Sequence, residues 1–161
     1  VVGQSAGGHL GAHFAYDLAR EGAGKLEVLG FVSISGVLSF EPAGWRYLEG
    51  LIRNTAATAA LRARADSRHA LEGASSELPT LLIHGNEDRI VPPEVSLQYA
   101  RAHTDRFGSA PGQLLLPWAK HNELALLFLD RRRRASALMI EWLEALQERT
   151  RLHDSSEHSE R

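Results

Sequence analysis

The chain contains no cysteine, so disulfides, thiolate metal sites and cysteine nucleophiles are excluded at once. Neither sign of charge dominates. Eighteen lysines and arginines against 20 aspartates and glutamates leave a formal net charge of −2, which gives no basis for a nucleic-acid or membrane-surface partner. Long apolar runs are missing as well, and nothing approaches the ~20 residues that span a bilayer. The one basic cluster, Arg131 to Arg134, is short and reads as the solvated face of a helix. No starting methionine or signal-peptide pattern is seen. The chain opens Val1-Val2-Gly3, in the middle of an element, and reads as a fragment.

What is present suits one globular domain. With 161 residues, 43% of them apolar and 24% charged, the chain is long enough to bury a real core. Val1-Val2 read as the end of a buried strand. From Ser5 the pattern turns helical, with Leu10, Phe14 and Leu18 four apart and Ala15 and Ala19 beside them. Leu26 to Ser35 is β-rich and closes at Gly36. Phe40 to Glu77 carries no strand signal, and Trp45, Leu48 and Ile52 fall at helical spacing there, as expected of a cap-like insertion over about 40–77. Thr80–Ile83, bounded by Pro79 and Gly85, fits a buried parallel strand. Pro92-Pro93 open a helix continued by Leu97, Ala100 and Ala102, and Gln113–Leu116 form a further strand. Beyond Asn122 an apolar stripe runs through Ala135, Leu138, Met139, Trp142, Leu143 and Leu146. The domain thus spans 1–148, and the polar tail 149–161 is predicted to be disordered. Strands alternating with helices imply an α/β fold, a parallel sheet with helices on both faces and reactive residues at the strands' carboxyl ends.

Three segments fall at such ends. Gly3-Gln4-Ser5-Ala6-Gly7 fits the G-x-S-x-G elbow, in which a sharp strand-to-helix turn lifts a serine clear of the sheet. The helix N-terminus below it favours developing negative charge, and the backbone N–H of Ala6 is placed to donate to an oxyanion. A serine needs a base, and the base needs an orienting acid. In chain order the candidates are Asp88, within His84-Gly85-Asn86-Glu87-Asp88-Arg89-Ile90-Val91-Pro92, and His121, after the next strand. Plainer roles stand beside these: Ser5 as a helix N-cap, Asp88 as a turn residue with Glu87 its rival, and His121 as an ordinary helix-start residue. Among the other histidines, His9 and His13 point along a helix flank and His84 holds the loop around Asp88. His69, His103, His153 and His158 read as surface residues. The eight histidines show no metal-site spacing, and no metal or organic cofactor is expected.

Gly3-Gln4-Ser5-Ala6-Gly7-Gly8-His9-Leu10 is similar to the G-x-S-A-G-[GA]-H-[LI] elbow of α/β-hydrolases of the hormone-sensitive-lipase-like and carboxylesterase branch. The segment from His84 to Pro92 resembles the H-G-x-x-D-x-x-V-P stretch of many α/β-hydrolases. Ser35-Gly36-Val37 with Phe40-Glu41-Pro42, and His121-Asn122-Glu123 with Leu127 to Asp130, look loosely like kynurenine formamidases and isoprenylcysteine methylesterases. The resemblance covers residues 1 to 148. It implies the C-terminal half of an α/β-hydrolase sheet, from the end of strand 5 to strand 8, with a small-molecule ester, amide or formamide as substrate. It also implies Ser5 as nucleophile, Asp88 as acid and His121 as base. The stretch Phe40–Ser75 is expected to shape the pocket, with Trp45 and Tyr47 either lining it or packed within the cap. The His-Gly-Gly loop that completes the family's oxyanion hole has no counterpart in these residues. One edge of the sheet is therefore expected to be open and apolar, and the alternatives are an inactive truncated product or a non-catalytic binding module.

Overall fold

The computed structural model describes residues 1–21, 27–40, 63–126 and 134–159. Among these, four short strands form one sheet: β1 (Val2–Gln4), β2 (Phe31–Ile34), β3 (Thr80–Gly85) and β4 (Gly112–Leu116). Every neighbouring pair is parallel and the order is β1-β2-β3-β4, with Val32 opposite both Val2 and Leu81, and Ile83 opposite Leu114. Parallel neighbours cannot be joined by tight hairpins, so the chain crosses over between them through helices. These are α1 (Ala6–Glu21), α2 (Arg68–Glu72) and α3 (Glu94–Phe107); α4 (His121–Ala125) and α5 (Arg134–Ser159) follow β4.

The two central strands are buried on both faces, and their side chains alternate between two cores. Phe31 and Leu82 point to a core shared with Ala12, Ala15 and Tyr16 of α1 and Val95 and Tyr99 of α3. Val32, Ile34, Leu81 and Ile83 point the other way, toward Leu124 of α4 and Ala135 and Met139 of α5, with Trp142 and Leu143 packed alongside. Burying each Phe, Leu, Ile, Val or Met side chain of these cores is worth about 1.5–3 kcal/mol. A one-residue slip in either strand would exchange the two faces, and so the register is well determined.

Several expectations change. Val1 and Val2 do extend a strand, but at the sheet edge, where they are 37% and 42% exposed rather than buried. The core face of α1 is the small one, not the Leu10–Phe14–Leu18 stripe: Leu10 is 66% and Phe14 55% exposed, whereas Ala12, Ala15 and Tyr16 are buried. The cause is close approach. A Cβ on Gly8 would lie 2.7 Å from the Cα of Gly36, so only the small side of the helix fits against the sheet. In α3 the buried residues are Val95, Ser96, Tyr99, Ala100 and His103, while Leu97 is exposed. His103 is therefore not a surface residue; its ring packs edge-on against Phe107, and Nδ1 meets the Ser109 carbonyl at 3.1 Å. Finally, α5 continues through Ser159, so the tail expected to be disordered is helical from 149 to 159. A Glu148–Arg151 pair one turn apart is the kind of contact that supports such an extension. Most of the proposed cap, with Trp45 and Tyr47, lies outside the described residues; the part that is described, α2, packs on α1 and α3.

Candidate active site

The turn from β1 into α1 is forced by its glycines. A Cβ on Gly3 would fall 2.2 Å from the Gly7 carbonyl oxygen, and no side chain can occupy that space. Ser5, at the apex, has φ 52°, in the left-handed region that non-glycine residues rarely adopt. Its backbone N–H is tied to the Ile34 carbonyl at 3.0 Å, and its carbonyl accepts from Gly8, His9 and Val37. The strained turn is thus held from both strand and helix. The Ala6 N–H, next in the chain at the helix start, takes no backbone partner among the described residues. It stays available to a ligand where the helix dipole is positive.

Asp88 follows β3 on a loop that encloses its carboxylate. Oδ1 accepts the N–H groups of Ile90 and Val91, each at 2.9 Å. Oδ2 lies 2.7 Å from His121 Nδ1 and 3.5 Å from His84 Nε2. Burial alone would push this carboxyl up, but the hydrogen bonds from His84, Val91 and His121 outweigh it and hold Asp88 well below the ordinary carboxylate range. The group is an anion and can only accept. His121 must therefore carry its hydrogen on Nδ1, which leaves the Nε2 lone pair facing Ser5 Oγ at 2.9 Å.

The structure thus joins Ser5, His121 and Asp88 in one hydrogen-bonded chain, although they come from three different strand ends. The hydroxyl of Ser5 goes to His121 and not to its own helix. Asp88, not Glu87, reaches the imidazole. His9 and His13 turn aside, to the Ser67 hydroxyl at 2.9 Å and the Ala65 carbonyl at 3.2 Å. His84 sits under the Asp88 loop. Of the three residues His121, but neither Ser5 nor Asp88, is among the lining of an open cavity of about 540 Å³ beside Glu87, Arg89, Ile90, Lys120, Asn122 and Glu123. A larger cavity of about 750 Å³, near Phe40, Asp66 and Arg106, includes none of the three residues and lies apart from their chemistry. Among the described residues no group of three His, Asp or Glu is placed to hold a metal, and no helix is long and apolar enough to cross a membrane.

This parallel sheet, with a serine at the first strand–helix turn, is an α/β-hydrolase fold, and solved structures share it. An acetyl ester-xyloside bifunctional hydrolase from Caldicellulosiruptor lactoaceticus superposes with a TM-score of 0.67 at 22% identity, covering 91% of this chain and 56% of its own. A carboxylesterase from Lactobacillus plantarum gives 0.60 at 19% identity, covering 89% of this chain and 57% of its own. A Paleococcus ferrophilus monoacylglycerol lipase gives 0.54 at 17%, covering 90% and 67%. The chain spans little more than half the length of the first two, and matches the C-terminal part of the fold. No family model and no curated protein matches it.

Proposed function

We propose that the chain carries the nucleophile, base and acid of a serine hydrolase that cleaves a carboxylic ester, or an amide or formamide, through an acyl-enzyme. The observation that carries this reading is the unbroken chain Ser5 Oγ–His121 Nε2, His121 Nδ1–Asp88 Oδ2, ending on a serine held in a strained turn at a helix N-terminus. His121 takes the Ser5 proton as Oγ attacks the carbonyl carbon, and the Ala6 N–H donates to the oxyanion that forms. Asp88 keeps the imidazole in the required tautomer and stabilises its charged form. His121 then protonates the leaving group, and water activated by the same nitrogen releases the acid. Among the structural neighbours, an acetyl ester-xyloside hydrolase and a carboxylesterase put esters first among substrates to try.

The test is fluorophosphonate labelling of this chain, and of any longer protein containing it, each beside its Ser5→Ala variant. Labelling that depends on Ser5 is expected, and p-nitrophenyl ester turnover then ranks acyl length. A folded longer protein that takes no label would overturn the hydrolase reading and leave a non-catalytic module in its place.

A further inference from the structure

His84 is a second imidazole at the same carboxylate. It is the fifth residue of β3 and 2% exposed, and its ring bridges β3, the Asp88 loop and α3. Nε2 faces two acceptors, the Val91 carbonyl at 2.9 Å and Asp88 Oδ2 at 3.5 Å. Two acceptors can be satisfied only if Nε2 carries a hydrogen. At the other side of the ring, Nδ1 lies 2.7 Å from the Ser96 hydroxyl, itself 5% exposed. A hydroxyl donating to Nδ1 occupies that lone pair and keeps the hydrogen on Nε2. Asp88 Oδ2 therefore lies between Nδ1 of His121 and Nε2 of His84.

From this geometry we infer that His84 is a positioning residue for the proposed reaction, orienting the Asp88 carboxylate toward His121, and that Ser96 on α3 sets the tautomer in which it does so. The inference rests on the hydrolase reading for its catalytic meaning, but the hydrogen-bond order it assigns stands apart from activity. The arrangement has a specific consequence. Removing the His84 donor leaves the carboxylate with less compensation for burial, so Asp88 holds a proton more tightly. The other charged groups around the His121 cavity, Glu87, Arg89, Lys120 and Glu123, are untouched by substitutions at 84 and 96. They cannot produce the shift.

The experiment compares the chain with His84→Phe, His84→Gln and Ser96→Ala, each checked for folding by circular dichroism. Imidazole ¹⁵N shifts are expected to place the His84 hydrogen on Nε2, with that preference weakened in Ser96→Ala. The Asp88 carboxyl, followed by its ¹³C shift, should titrate higher in His84→Phe, because a partner that favours its charged form is lost. His84→Gln, whose amide N–H can reach the place of Nε2, should return most of the shift. Should His84→Phe fail to fold, Ser96→Ala carries the test, with a smaller shift in the same direction. The acid limb of the fluorophosphonate-labelling rate should move in parallel. An unmoved Asp88 titration in folded variants, or a His84 hydrogen on Nδ1, overturns the inference even if labelling proceeds normally. A shifted titration in a protein that does not label leaves the inference standing and sinks the hydrolase reading instead.

Discussion

Asp88 shows how one side chain can hold its charge while buried. Two backbone N–H groups and two imidazoles surround a carboxylate with a fully buried side chain. Its folded pKa lies below the ordinary value of ~3.9. The stability it contributes is therefore complete above about pH 4 and is lost as the pH falls through the lower folded value. Urea unfolding followed down to about pH 3 should show that acid limb, and Asp88→Asn should flatten it. In a longer, active protein the same substitution should leave substrate binding but lower kcat by roughly 10⁴, because the amide favours the wrong His121 tautomer. Steady-state kinetics checks this. Glycines at the elbow differ just as sharply: Gly3→Ala collides with the Gly7 carbonyl, whereas a Cβ on Gly7 meets nothing within 4 Å. Urea unfolding should show a cost of about 1–3 kcal/mol for Gly3→Ala, with fluorophosphonate labelling impaired. At Gly7→Ala the change should be slight.

At the scale of elements, the position of α1 follows from its small face. Because Gly8 nearly touches Gly36 and Gly11 sits over Phe31, the helix starts close enough to the sheet for Ser5 to reach His121. Its large apolar residues are thereby turned outward. Truncation should expose the asymmetry. Phe31→Ala, in the core between α1 and α3, should cost about 3–5 kcal/mol in urea or thermal unfolding. Phe14→Ala, more than half exposed, should cost under about 0.5 kcal/mol despite identical chemistry.

At the scale of the whole molecule, the β1 edge and the outward face of α1 carry four exposed large apolar residues. Val1 and Val2 on the β1 edge and Leu10 and Phe14 on α1 are each more than a third exposed, and Val1 reaches across to Gly11. Among the described residues β1 pairs with β2 alone, so its other edge has no strand partner there beside that apolar surface. Such an edge promotes association between chains. Sedimentation velocity on the chain as it stands should show self-association. The double variant Leu10→Lys with Phe14→Glu should reduce it without lowering the melting temperature, since neither residue is in the core.

Much of this was legible in the residues alone, because local chemistry decided it. The G-x-S-x-G turn, the apolar run of β3 bounded by Pro79 and Gly85, and the HG-x-x-D loop each depend on backbone conformations or burial that few residue types tolerate. Periodicity could not say which side of α1 faces the sheet. It sees large apolar residues at helical spacing, while the contact is decided by how closely Gly8 approaches Gly36, a distance between segments far apart in sequence. Nor could it bury His103. The sequence by itself determined the alternation of strands and helices and singled out Ser5, Asp88 and His121 as candidates. Only the tertiary structure decided which nitrogen of His121 faces Ser5, and that Ser96 stands behind His84, because hydrogen-bond direction is set by partners that meet only when the sheet is assembled.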